Sequence, residues 1–150
     1  MNFRIFLLPF SFVYAGIARL RNVFFNVGLF KQKRFDIPVI LVGNLSVGGT
    51  GKTPHVEYLL QLLQKEYRVA TLSRGYGRKS TGFIMAGKGI SADVIGDEPM
   101  QYFTKFEDVT VAVCENRVEG IEKLIESERK PQVIIMDDGY QHRQVNPGFK

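Results

Sequence analysis

Apolar residues along the chain follow two alternating patterns. Ile37-Pro-Val-Ile-Leu-Val42, Arg68-Val-Ala-Thr-Leu-Ser73, Val109-Thr-Val-Ala-Val-Cys114 and Val133-Ile-Ile-Met136 are short, nearly continuous apolar runs, the signature of strands buried on both faces. Phe83-Ile-Met-Ala86 reads as a further short strand. Between these runs the spacing becomes helical. Val56, Leu59, Leu60 and Leu63 share one face of a helix predicted from Thr53 to about Glu66, and two more helices are predicted over residues 99–106 and 116–128. Strands alternating with helices predict an α/β fold, a parallel sheet flanked by helices. Ligands of such sheets gather at the carboxyl ends of the strands, which here hold residues 43–53, 74–78, 115–117 and 137–142. The chain shows no internal repeat and no low-complexity tract, and the loop after Asp138 leads toward no further element.

The first 35 residues follow a different pattern. Ile5 to Ala18 is a run of 14 residues without a charge, shorter than the roughly 20 that a membrane-spanning helix needs. Pro9 suits a first helical turn. Beyond it Phe10, Val13, Ile17, Leu20, Phe24 and Val27 line one face, with Ser11, Ala15, Arg19, Asn22 and Asn26 opposite. This predicts an amphipathic helix lying in a membrane interface. The same pattern also allows packing on a domain core, a short spanning anchor, or a signal peptide cut near Gly16-Ile17-Ala18.

Charge sharpens that division. Residues 1–35 carry six basic side chains and no acid, whereas the rest of the 150-residue chain has 14 basic against 15 acidic ones. The net charge of +5 thus belongs to the N-terminal segment. It argues for an anionic surface met there, and against a nucleic-acid face spread over the domain. The organisation expected is an N-terminal membrane-interface helix over residues 1–35 and a nucleotide-binding domain over residues 36–150. The single cysteine, Cys114, excludes an internal disulfide and reads as a small buried hydrophobe.

The candidate chemistry lies in the polar loops. After the first strand comes VGNLSVGGTGKTP, where Ser46 stands at the place of the first glycine of a G-x-x-x-x-G-K-[ST] phosphate loop. With a strand before it and a helix after it, Ser46, Val47, Gly48, Gly49, Thr50 and Gly51 are expected to curve backbone N–H groups around phosphate oxygens. Lys52 would reach the outer phosphates, and the Thr53 hydroxyl would ligate Mg²⁺. A purely structural turn is the alternative. The apolar strand 133–136 ends in Asp137 and Asp138, acids able to hold Mg²⁺ directly or through water, or else to cap a strand–turn junction. Their adjacency predicts that only one faces the site. In Gly96-Asp97-Glu98-Pro99, either acid is a plausible helix cap, and the functional alternative is a base that takes a hydroxyl proton. Arg74, Arg78 and Arg117 are candidates to neutralise phosphate charge. His142 is either an orienting partner for an aspartate or a packed turn residue.

Five stretches, GNLSVGGTGKTP, SRGYGRK, GDEP, ENR and DDGYQHR, in this order and spacing, resemble the tetraacyldisaccharide 4′-kinases, the lipid A 4′-kinases of Gram-negative bacteria. The family also lacks the first glycine of the general loop, so Ser46 belongs to the resemblance. The resemblance implies a phosphate-loop NTPase-like fold and an ATP- and Mg²⁺-dependent transfer of phosphate to the 4′-hydroxyl of a tetraacylated glucosamine disaccharide 1-phosphate. It implies that the lipid is met at the cytoplasmic face of the inner membrane. On it Lys52 and Thr53 serve ATP and Mg²⁺, Asp97 resembles the base, and Asp137 and Asp138 resemble metal-side acids. Arg117 resembles an arginine near the phosphates, and Tyr76 a residue near the substrate. Family members are considerably longer, with a second lobe that supplies a histidine to partner the base. His55 and His142 both fall inside other motifs, so a membrane-attached nucleotide-binding module without phosphoryl transfer is the alternative. Nothing in the sequence speaks to oligomeric state.

Overall fold

The structure, a computed structural model, describes residues 23–24, 29, 32–43, 51–137 and 144–148. The chain divides into two compact units, Met1–Gln32 and Lys33–Lys150, and the second is the one described below. Residues 23–24 are helical. Residues 29 and 32–35 are not helical, and Lys33–Phe35 belong to the second unit, so the helix expected over residues 1–35 does not reach its predicted end. The other residues of that helix lie outside the described residues, as do Ser46 to Thr50, Asp138 and His142.

Five strands form one sheet: β1 (Val39–Val42), β2 (Val69–Ser73), β3 (Ile84–Met85), β4 (Thr110–Val113) and β5 (Val133–Asp137), in the order β1-β5-β2-β4-β3. Four strands run parallel, as predicted. The exception is β3, which pairs antiparallel with β4. The reason lies in the connection from β2: residues 74–83 form no helix that would return the chain to the opposite edge of the sheet. Parallel pairing needs such a crossover, so the chain crosses at the carboxyl edge and runs back down.

Strand periodicity sorts the core into two layers. Ala70, Leu72, Ala112, Cys114, Ile134 and Met136 pack beneath Ile121 and Leu124 of α4 (Arg117–Glu126). Val69, Val111 and Ile135 point the other way, onto Val56 and Leu60 of α1 (Lys52–Leu63) and Tyr102 of α3 (Asp97–Lys105). The sheet is therefore covered on both faces. A short helix, α2 (Ala92–Ile95), precedes α3 and has no apolar signal long enough to predict.

Two details fix how closely these layers meet. A Cβ on Gly120 would come within 2.9 Å of both Leu72 methyls and 3.0 Å of the Cys114 Cβ, so only glycine lets α4 settle on the sheet. Residues 144–146 pair with Lys33, ahead of β1, and the chain reaches the start of β1 at Gly148: Lys33 bridges Val145, the Gly148 N–H donates to the Val39 carbonyl at 3.1 Å, and Val145 is buried. The segment after Asp138 thus returns to the core, contrary to the sequence-based expectation.

Cys114 is buried, and burial pushes its thiol up, as suits an inert core residue. Among the described residues no helix is long and apolar enough to cross a membrane.

Candidate active site

Sheet order places the site. Because β5 inserts beside β1, Val42 lies in register with Asp137. Val42 is the last residue of β1, so the acid ending β5 stands level with the strand end from which the chain enters the glycine-rich stretch. Alternation along β5 puts Asp137 on the same face as Ile135, toward α1 and α3, where it is 1% exposed.

Helix α1 begins at the end of the glycine-rich stretch. Gly51 is its N-cap with φ 75°. A Cβ there would meet no atom, so its need for glycine is conformational, since side chains disfavour this left-handed region. Pro54 is tolerated because the first turn leaves its N–H unused anyway. The Nδ1–H of His55 donates to the Gly51 carbonyl at 2.8 Å, so His55 steadies this cap and is not a ligand in waiting. Lys52 and Thr53 open the helix, half-buried.

Across from them, α3 starts at Asp97 with Gly96 as its N-cap. Neither Asp97 nor Glu98 caps it, since no side chain accepts from the first turn. Instead the two acids diverge. Glu98 accepts the Thr53 hydroxyl at 3.1 Å, bringing a carboxylate against the hydroxyl expected to ligate metal. Asp97 is exposed and has no hydrogen-bond or ion-pair partner among the described residues. One turn further along α3 the Tyr102 hydroxyl donates to Oδ2 of Asp137 at 2.9 Å. Burial, and after it the Asp137 carboxylate, push the Tyr102 phenol far above its ordinary range, so it stays protonated and donates.

The same two helices are tied again lower down. Glu57 on α1 accepts from Gln101 at 2.8 Å and Lys105 at 2.6 Å. Residues 53 and 57 of α1 thus face 98, 101 and 105 of α3. These pairs were invisible to sequence reading, which left Glu98 as a cap or a base and did not single out Tyr102; the only signal was the four-residue spacing of Glu98 and Tyr102.

The loop after β2 is pinned against the start of α3. Gly75 has φ 72°, and a Cβ on it would lie 2.7 Å from the Ile95 carbonyl. A Cβ on Gly96 would lie 2.8 Å from the Tyr76 carbonyl. Backbone therefore touches backbone between the SRGYGR and GDEP stretches. Tyr76 itself stands 90% exposed on this loop.

Arg78 is tied into the loop through one nitrogen of its guanidinium. Its Nη2 donates to Glu115 at 2.5 Å and to the Gly82 carbonyl at 2.8 Å, with the arginine side chain 3% exposed. Burial pulls the Glu115 carboxyl upward. Its backbone hydrogen bonds and Arg78 outweigh that and hold it below the usual carboxylate value. Arg74 is exposed. Arg117 opens α4 after the Asn116 cap, which accepts from the N–H groups of Val118 and Glu119. Its guanidinium is buried and Nη1 donates to the Cys114 carbonyl. Arg117 thus sits at the carboxyl edge of the sheet, at the start of α4.

Thr53, Glu98 and Asp137 offer only oxygen donors, the set a hard divalent cation selects. Among the described residues no three His, Cys, Asp or Glu side chains gather closely enough to hold a metal alone. Mg²⁺ takes one or two carboxylates and completes its shell with phosphate and water.

The family model of tetraacyldisaccharide-1-P 4′-kinase matches residues 3–150. The chain belongs to this family. Among its relatives is the tetraacyldisaccharide 4′-kinase of Flavobacterium johnsoniae, 56% identical over 143 residues, which are 95% of this chain and 42% of that protein. That of Bacteroides thetaiotaomicron is 51% identical over 144 residues, 95% of this chain and 38% of that protein. In solved structures the chain resembles LpxK from Aquifex aeolicus in complex with ATP, with a TM-score of 0.88 and 43% identity over 97% of this chain and 47% of that one. The chain thus spans about two-fifths of the length of the curated family members it matches.

Proposed function

We propose that the chain is the nucleotide-binding part of an ATP-dependent kinase that phosphorylates the 4′-hydroxyl of a tetraacylated glucosamine disaccharide 1-phosphate. The observation that carries this reading is the register of Val42 with Asp137, with Thr53 facing α3 beside them. It puts a buried acid level with the strand end that leads into a sequence of phosphate-binding composition, with a hydroxyl on the following helix N-terminus, on a fold shared with an ATP-bound relative.

In this reading Ser46, Val47, Gly48, Gly49, Thr50 and Gly51 cradle the phosphates and Lys52 neutralises the outer ones. Thr53, Asp137 and Asp138 hold Mg²⁺, and Glu98 joins them through its bond to Thr53. Bound there, Mg²⁺ supplies charge to offset that on the transferring phosphoryl group. Asp97, exposed and uncommitted, takes the proton of the 4′-hydroxyl as its oxygen bonds to the γ-phosphorus and the bond to the ADP oxygen breaks. Arg117 compensates phosphate charge, and Tyr76 meets the sugar or its acyl chains. The N-terminal segment, over the apolar face from Phe10 to Val27, forms an amphipathic helix in the cytoplasmic face of the inner membrane, where a basic, aromatic-rich face would find both apolar and anionic surface. Residues 36–150 form the phosphate-loop domain.

The test is transfer of labelled γ-phosphate from ATP to the acylated disaccharide by the full-length protein in a membrane mimetic. Transfer lost on Lys52→Ala is expected. ATP and vesicle binding without any transfer would leave a membrane-attached nucleotide-binding module instead.

A further inference from the structure

Tyr102 is 0% exposed at the middle of α3, packed with Val56, Leu60 and Ile135. A core position of this kind needs only a ring, and a buried phenol adds a hydroxyl that must be partnered. Here the partner is Asp137, at 2.9 Å through Oδ2. Four residues earlier on the same helix, Glu98 receives the Thr53 hydroxyl. One face of α3 therefore reaches both protein elements that flank the proposed metal position: α1 through Glu98 and β5 through Tyr102.

A carboxylate at the end of a strand turns readily about its last side-chain bond. The Tyr102 ring is locked by packing on all sides, so a hydrogen bond from its hydroxyl removes that freedom. We propose that Tyr102 is a positioning residue for the metal. By holding one oxygen of Asp137, it sets the direction in which that carboxylate is presented to Mg²⁺. The inference rests on Asp137 being a metal-side acid, as read above. Tyr102 acts through Asp137 and touches neither nucleotide nor substrate.

Tyr102→Phe in the full-length protein keeps the ring and deletes the hydroxyl that donates to Asp137 and also meets the Thr53 side chain. ATP binding is measured by calorimetry with Mg²⁺ and with EDTA, for wild type, Tyr102→Phe and Asp137→Asn. Outer-shell partners of metal ligands are worth roughly 10- to 100-fold in metal affinity. The Mg²⁺-dependent gain in ATP affinity should therefore shrink about tenfold in Tyr102→Phe, while binding in EDTA changes by less than about twofold. In turnover the Mg²⁺ concentration for half-maximal rate should rise, with the KM for ATP at saturating Mg²⁺ unchanged. A Mg²⁺ gain as large as or larger than wild type overturns the proposal. So does an equal loss of affinity with and without metal, which would mark a packing role. If Asp137→Asn keeps the full Mg²⁺ gain, the metal reading of Asp137 falls, and the proposal with it. An abolished gain in Asp137→Asn beside an unchanged one in Tyr102→Phe sinks the proposal alone.

Discussion

Glu57 of α1 holds Lys105 of α3 at 2.6 Å. That contact joins the helix opening with Lys52 to the helix opening with Asp97. It lies one turn below the Thr53–Glu98 hydrogen bond on α1, so the two helices meet at two levels. The Lys105 hydrogen bond, opposed by burial and aided by Gln101, keeps the Glu57 carboxyl below its ordinary 4.5.

A pH dependence follows from the sign of that shift. A carboxyl whose folded value is depressed stabilises fully above its unfolded value and loses that contribution as pH falls through the folded one. Glu57→Gln should therefore lower the Tm at neutral pH by an amount worth about 0.5 kcal/mol, given that Lys105 is half-exposed. Below pH 4.5 the difference from wild type should shrink toward zero. Thermal melts of both proteins from neutral to acid pH measure it, and a gap that widens in acid contradicts the assignment.

Gly96 and Gly77 separate conformational strain from steric contact. Gly77 has φ 78° and open space around a Cβ, so Gly77→Ala should cost about 1–2 kcal/mol. Gly96 has φ 93° and ψ 161°, a region essentially reserved for glycine, and its Cβ would strike the Tyr76 carbonyl. Gly96→Ala should cost at least about 3 kcal/mol. Urea unfolding of the two variants gives the comparison, and equal losses would mean that the loop yields.

Gly120 sets helix propensity against packing. Alanine gains about 1 kcal/mol in a helix interior, whereas overpacking a core costs about 1–3 kcal/mol. Leu72 is buried and both its methyls would lie within 2.9 Å of the new Cβ, so Gly120→Ala should destabilise by about 1 kcal/mol net. Adding Leu72→Val should recover part of the alanine's cost relative to Leu72→Val alone, as a double-mutant cycle in denaturant would show.

Lys52→Ala should reduce phosphate transfer by at least about 100-fold, the usual loss when one charge-stabilising donor is removed. Far-UV circular dichroism should not change, because Lys52 opens α1 and lies outside the buried core. An unfolded variant would make the lysine structural.

The strands and the three long helices were legible because each writes its own period into the chain. Leu60 and Ile135 belong to repeating patterns, and the pattern alone assigns them to the core. The reversed β3 was not legible, since its direction depends on what residues 74–83 fail to build rather than on Ile84 or Met85. Asp97, Glu98 and Asp137 were legible as candidates, yet the partners of Glu98 and Asp137 were not. Whether Glu98 caps its own helix or meets Thr53, 45 residues away, is decided by how α1 and α3 pack, and no local window contains both. Tyr102 was hidden for the opposite reason: it satisfies every rule for a core aromatic while its hydroxyl does something else. For Arg78 the sequence shows the charge and not Glu115 beside it.

The return of residues 144–148 to the start of β1 has a consequence for solubility. A parallel sheet ends in two margins, each a row of unpaired amides that invites another chain. One margin here is β3, only two residues long. The other is β1, and the Gly148 N–H already engages the Val39 carbonyl there. A short strand guards one side and the return segment the other, so a version of the chain cut before Gln144 would bare a sticky edge and self-associate.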